Sequence, residues 1–321
     1  MGKWDGTQRL DTLFIDYLGA KDTPYNRAVT RKAFTAAVAR AMTPGCKYDS
    51  MVILSGPQGI GKSTLLDKMS RGWFNDSIRT FEGKEASELL QGVWLVEISE
   101  LDAFRRTDVA RIKQFLSLRA DRFRAAYGRH VKEIPRSCVF FGTTNTSDFL
   151  QDTTGNRRFW PIDTGEQACI KNVWKNLNEE IDQLWAEAVM RWQAGEALYL
   201  SGEIEAAAKE KQEEHREVSS REGIVREFLE RKVPEDWSKW SLDKRRMYWG
   251  GCVQGDVKLV HRDRICALEI WCEAFGGAIK DMRNSDAREI NNIIATTQGW
   301  KKTKGVKRIG PYGVQRGFEP K

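Results

Sequence analysis

Lys62 and Ser63 close the run Gly56-Pro57-Gln58-Gly59-Ile60-Gly61-Lys62-Ser63, and Thr64 follows. A lysine and a hydroxyl at the end of a glycine-rich loop suit one chemistry above others, the holding of a nucleoside triphosphate. The glycines let backbone N–H groups close around a β-phosphate, the ammonium reaches the β- and γ-phosphates, and the serine hydroxyl ligates Mg²⁺. The apolar run Met51–Leu54 before the loop reads as a strand. A helical run opens at Thr64-Leu65-Leu66, and its N-terminus adds partial positive charge. The expectation is that ATP and Mg²⁺ bind at residues 56–64.

Further residues have the types and order needed to complete such a site. The stretch Gly92-Val93-Trp94-Leu95-Val96-Glu97-Ile98-Ser99-Glu100 is an apolar strand ending in acid, the place from which a carboxylate holds the metal's water shell. Two adjacent acids are usual there, whereas Glu97 and Glu100 are separated by Ile98 and Ser99. Glu97 is expected on the metal side. Glu100 is expected to polarise the attacking water, its plainer role being a charge at a helix start. A later strand, Cys138–Phe141, ends in Gly142-Thr143-Thr144-Asn145, where the Asn145 amide can reach the γ-phosphate or its water. Arg157 and Arg158 then precede the strand-like Phe159-Trp160-Pro161-Ile162. A guanidinium on such a loop can stabilise the charge of a transferring phosphoryl from the next subunit of a ring. Either arginine fits, and an ion pair between Arg157 and Asp152 is the plainer alternative.

The elements that must position these groups are legible in outline. With 321 residues the chain is long enough for two domains, one of them a full α/β core. The N-terminal sequence lacks an apolar leader, and no stretch approaches the ~18 apolar residues of a membrane span. A soluble protein of a bacterial host cytoplasm is expected. The six cysteines form no C-x-x-C pair, and with three histidines they complete no zinc pattern. They are read as reduced structural thiols, Cys46 and Cys138 near the core. A formal net charge of +7 permits nucleic-acid binding without establishing it.

Ahead of the phosphate loop, Arg9–Leu18 places Leu10, Leu13, Phe14 and Tyr17 on one helical face, and Asn26–Met42 follows the helix-start pair Thr23-Pro24. Between the acids and Asn145, residues 116–137 carry Arg119, Arg122, Arg124, Arg129, His130, Lys132 and Arg136 against Asp121 and Glu133. Gly128 suggests a turn, and Pro135 limits the second arm to an edge strand. A basic hairpin of this kind can track a phosphate backbone without reading bases.

The order of these parts resembles a known family. Trp4-Asp5-Gly6, GPQGIGKST, VWLVEISEL, D-R-F-R-x-x-Y-G-R, FFGTTN and D-x-T-G-N-R-R-F-W-P together resemble the virulence-associated protein E family of phage and genomic-island P-loop ATPases. That family is similar to the superfamily-three viral replication helicases, and the likeness covers roughly residues 1–200. The resemblance implies an AAA+-like three-layer core assembled as a ring, usually a hexamer, that works on DNA in the replication of a mobile element. It also implies that Arg129, His130 and Lys132, at the hairpin tip or its flank, meet single-stranded DNA in the ring channel.

Beyond the core, Trp174, Leu177, Ile181, Leu184, Trp185, Ala188 and Trp192 recur at helical spacing, and Gly202–Glu217 is a charged stretch read as an exposed helix between domains. Helices over His261–Phe275 and Asp286–Thr296, followed by a basic hairpin over Lys301–Phe318, suggest a winged-helix module that meets phosphate, with duplex DNA as its partner. Residues 237–258 resist assignment. The expected organisation is an N-terminal helical subdomain (1–46), a P-loop ATPase core (47–170), a helical connector (171–218) and a winged-helix-like basic domain (219–321). The leading function is a DNA helicase or helicase-like replication motor. The rival is an ATP-gated DNA-binding regulator that does not unwind.

Overall fold

Every residue of β1 (Met51–Ser55) is buried, as befits a strand in the middle of a parallel sheet covered on both faces. The computed structural model describes residues 2–100, 106–123, 130–150, 156–216, 219–252 and 258–321. Its first unit, Met1–Glu217, is built on five parallel strands. In spatial order these are β2 (Phe74–Asn75), β3 (Leu95–Ile98), β6 (Val139–Thr144), β1 and β7 (Phe159–Asp163).

Alternation along the strands divides the interior into two cores. Val52, Leu54, Leu95, Phe141 and Ile162 face one side, where α1 (Leu13–Leu18), α2 (Pro24–Met42), α3 (Lys62–Ser70) and α6 (Leu177–Gln193) pack. Met51, Ile53, Val96, Phe140 and Phe159 face the other, with α4 (Gly83–Glu88) and α5 (Arg106–Leu116). Helices on both sides of a parallel sheet make the mixed α/β layering expected of the core. On the first side Trp185 is sealed in. Its ring stacks on Trp94 with centroids 4.1 Å apart, and its Nε1 donates to the Met69 carbonyl at 2.9 Å.

Thr23 caps α2 by accepting from Asn26 N, with Pro24 in the first turn, as the sequence suggests. The helix expected from Arg9 begins only at Leu13, because Arg9 and Leu10 N–H groups are both taken by the Glu187 carboxylate at 2.7 and 2.9 Å. Trp174 is not on the inward face of α6. It precedes the helix and is 54% exposed. The stretch read as a connector forms α7 (Gly202–Glu214), which is docked on the sheet edge. Gln212 donates to the Phe159 carbonyl at 2.8 Å and Lys211 to Asp163 at 3.0 Å. Just past α7, His215 directs Nδ1 at the Ser147 carbonyl (2.6 Å) and holds Nε2 3.0 Å from Asp163 Oδ1. The carbonyl at Nδ1 and the carboxylate beside Nε2 favour the imidazolium.

A two-stranded ribbon, β4 (Ala120–Phe123) and β5 (Lys132–Pro135), leaves the core as the expected hairpin. All six cysteines are free; Cys138 is buried, which pushes its thiol up to about 11, and Cys46 is half-buried. No helix among the described residues is long and apolar enough to cross a membrane.

In the second unit, Val218–Lys321, α8 (Ser220–Glu230), α10 (Ala267–Glu273) and α11 (Asn284–Thr296) enclose a core of Val225, Phe228, Ile265, Ile270, Ile290 and Ile294. The hairpin β10 (Trp300–Arg308) and β11 (Val314–Pro320) closes it. Ile265 and Phe318 exchange backbone hydrogen bonds of 2.9 and 2.8 Å, so a third extended segment joins the hairpin. Gly317 allows this approach, since a Cβ there would sit 2.3 Å from the Ile265 carbonyl oxygen. The same pairing explains why the helix expected from His261 starts only at Ala267. The segment that resisted assignment holds α9 (Leu242–Trp249), and the short pair β8 (Val233–Pro234) and β9 (Leu259–Val260) brackets it. Arg245 and Arg262 reach into the interior from there and pair with Glu273 and Glu269 of α10 at 3.0 and 2.9 Å.

Two outcomes test these contacts. Trp185→Ala should cost about 3–5 kcal/mol in urea unfolding, the range for truncating a buried large aromatic, with Trp185→Phe well below it. For His215, burial works against the charged ring, but the Asp163 carboxylate and Ser147 carbonyl outweigh it, and the pKa rises above the ordinary value. Lys211 and Glu214, the charged neighbours on α7, pair at 2.6 Å. The stabilisation by His215 should be complete below about pH 6.5 and lost as pH climbs through the raised value. The stability difference between the wild type and His215→Gln, measured from pH 6 to 8.5, should therefore shrink with rising pH.

Candidate nucleotide site

The parallel register brings the C-terminal ends of β1, β3 and β6 together, and the sequence places its polar residues there. Ser55 lies opposite Thr144, and Ile98 opposite Gly142. The loop Gly56–Gly61 turns over these strand ends before α3 begins at Lys62. Gly56, Gly59 and Gly61 all have positive φ. At Gly56 the requirement is also steric, because a Cβ would meet the Thr164 carbonyl oxygen at 2.4 Å.

Lys62 is folded against its own loop. Its ammonium donates to the carbonyls of Gly56 (2.5 Å) and Pro57 (2.9 Å) and to Asn145 Oδ1 (3.2 Å), so each of its three donors has an acceptor. Burial lowers its pKa, and the charge of Glu97 partly restores it. Glu97 is 1% exposed at the tip of β3. Its Oε1 accepts from Ser63 Oγ at 2.7 Å and Thr143 Oγ1 at 2.6 Å, while Oε2 is buried without a hydrogen-bond partner. An anionic oxygen left unmatched in the interior is costly, so this atom is suited to a cation. Ser63 supplies a second hard oxygen beside it, and the pair suits a small divalent cation.

Glu100 is exposed, with φ +55°, a left-handed conformation of modest cost that recurs in functional loops. It lines the same groove of about 270 Å³ as Gln58, Lys62, Glu97 and Asn145. Ile60 is half-buried, and Thr64 lies on the first turn of α3 and lines the groove. Trp174 also stands at the groove, 3.4 Å from where a Cβ of Gly61 would lie. Sequence periodicity assigned it to a helix interior. Its position before Leu177 and after Asn172, whose side chain caps the backbone N–H of Trp174 and Lys175, is the local signal that separates it from the helix.

Arg157 and Arg158 are not brought to this groove. They precede β7, whose Phe159 lies opposite Met51, at the other end of the strands from the Gly56–Gly61 loop. Strands of this length separate the two edges by roughly 16 Å. Arg158 is engaged with Ser117 Oγ (3.0 Å) and lies 3.7 Å from Asp49, whereas Arg157 is exposed and has no partner among the described residues. Asp152, offered as a partner for Arg157, lies outside the described residues.

The basic hairpin is less uniformly basic than its sequence. Arg136 is buried and forms a two-pronged pair with Asp121, both bonds 2.8 Å, with its guanidinium 4.2 Å from the Phe115 ring centroid. Arg122 pairs with Glu133, and Arg119 donates to the Gly45 carbonyl. His130 and Lys132 are exposed. Arg124 and Arg129 lie outside the described residues.

Two solved structures share the fold. The apo structure of the NrS-1 C-terminal region (305–718) is 16% identical with a TM-score of 0.51, and its A form is 14% identical with a TM-score of 0.54. Each match covers 99% of this chain and 77% of the other. No curated protein matches the chain. The description "Virulence-associated protein E-like domain" matches residues 1–217, which is the whole of the first unit. The chain belongs to the virulence-associated protein E-like family.

Proposed function

We propose that the chain is an ATP-hydrolysing motor that works as a ring on DNA in the replication of a phage or mobile element. The observation that carries this reading is the buried Glu97 carboxylate, with one oxygen bound to Ser63 and Thr143 and the other unmatched, next to the Lys62 loop. In this reading the P-loop backbone amides and the start of α3 receive the phosphates, and Lys62 exchanges its loop carbonyls for phosphate oxygens. Ser63 and Glu97 would hold a Mg²⁺, which would supply neutralisation of phosphate charge. Asn145 orients the γ-phosphate or the attacking water, and Glu100 accepts the water's proton. Trp174 offers its exposed face to the base.

Arg157 is the better finger, because Arg158 is already bound to Ser117 and Asp49. Its place at the far sheet edge supports service to a neighbouring copy's nucleotide, and a hexamer satisfies every site. His130 and Lys132 are the described cations of a hairpin that meets single-stranded DNA, with Arg129 beside them in sequence. For the second unit, the order α8, the extended Ile265, α10, α11 and the β10–β11 hairpin supports a winged-helix module. Work of this kind suits a soluble protein of the host cytoplasm.

Lys62→Ala should lower ATP hydrolysis at least about 100-fold, the scale of losing a phosphate-stabilising charge. Arg157→Ala should be similarly inactive alone. Mixed with Lys62→Ala, it should regain part of the activity, because each variant supplies what the other lacks. Trp174→Ala should raise KM for ATP with little change in kcat. Forked-duplex unwinding by the wild type beside Lys62→Ala tests the motor itself. ATP hydrolysis without strand release would favour the ATP-gated regulator.

A further inference from the structure

The outer face of α11 in the second unit differs in kind from the rest of this charged protein. Ile290, Ile293 and Ile294 point into the core. The helix's two acids, Asp286 and Glu289, are both bound by Arg221 of α8, at 2.6 and 3.1 Å, and Ser219 adds a hydrogen bond to Glu289. Between its exposed ends, Asn284-Ser285 and Thr296, the helix turns outward Arg288, Asn292 and the half-exposed Asn291, with the small Ala295 one turn on. Positions 288, 291, 292 and 295 share one helical face. The Arg288, Asn291 and Asn292 side chains make no hydrogen bond or ion pair among the described residues.

The adjoining hairpin carries the opposite character. Lys302, Lys304, Lys307, Arg308 and Arg316 are exposed without an acidic partner among the described residues, whereas Lys301 lies 3.7 Å from Glu319. Helix and hairpin are the two walls of one groove of about 340 Å³, with Asn291 on one side and Lys302, Thr303 and Arg316 on the other. An amide-and-guanidinium face beside a row of free cations divides the labour of duplex recognition. Cations on a hairpin take phosphates and fix register, while arginine reads guanine and asparagine reads adenine by paired hydrogen bonds in the major groove. Single strands are gripped instead by exposed aromatics, and the one aromatic lining this groove, Phe318, is buried.

We propose that α11 reads base edges of duplex DNA through Arg288, Asn291 and Asn292, with Lys302 and Arg316 holding the flanking phosphates, so that the second unit directs the chain to particular sequences. This rests on the winged-helix reading and is independent of nucleotide chemistry in the first unit.

The test is selection from a randomised duplex pool by the full chain without nucleotide, followed by titration of enriched and scrambled duplexes. An enriched motif bound at least about 10-fold more tightly than scrambled sequence is expected, the scale of one or two base contacts. Arg288→Ala and the double variant Asn291→Ala/Asn292→Ala should bring that ratio toward one while leaving affinity for scrambled duplex unchanged. Lys302→Ala and Arg316→Ala should weaken both duplexes equally, each reducing the slope of log K against log salt by about one. Failure to enrich any motif overturns the proposal, as does tighter binding of single strands or a preference that survives the Arg288 and asparagine variants. ATP hydrolysis measured on the same preparations separates the two readings. Its loss counts against the motor, and the absence of a motif counts against α11.

Discussion

A carboxylate buried at the end of a central strand organises the first unit's chemistry. Glu97 is almost wholly buried, so its carboxylate is matched locally, and the matching groups come from α3 and β6. Ser63 and Thr143 both commit their hydroxyls to one oxygen. That commitment ties the start of α3 to two neighbouring strand ends, and it depends on β3, β6 and β1 all running in the same direction. Were any of the three reversed, its polar terminus would lie at the opposite edge and the carboxylate would be an uncompensated charge in the core.

Much of this was legible because it is local. The glycine-rich loop declares itself by glycine spacing over a few residues, and the strand ends declare themselves by an apolar run stopping at a polar group. The sheet follows, since alternate residues of a doubly covered strand are all apolar. Side-chain fate at long range was less legible. Arg136 reads as one more positive charge until Asp121, across the ribbon, is seen to neutralise it. Trp174 fits a helical period that the chain has not yet entered. The charged α7 looks solvated from end to end, yet Gln212, Lys211 and His215 fasten it to β7 and to the loop after β6. Nothing in the spacing of those residues names their partners.

The two edges of the sheet have different trades. One gathers the glycine-rich loop, the acids and Asn145; the other presents Arg157 beside an Arg158 already held in place. A single copy keeps these groups a strand's length apart. The second unit repeats the division on a smaller scale, with α11 offering directional hydrogen-bonding groups and the hairpin offering charge.

The pair formed by Arg136 and Asp121 at the root of the β4–β5 ribbon has a mechanical meaning. Both side chains are sealed from solvent and capped by the Phe115 ring, so mobile ions cannot screen them. Ionic strength acts on the exposed part of the ribbon and leaves its mounting alone.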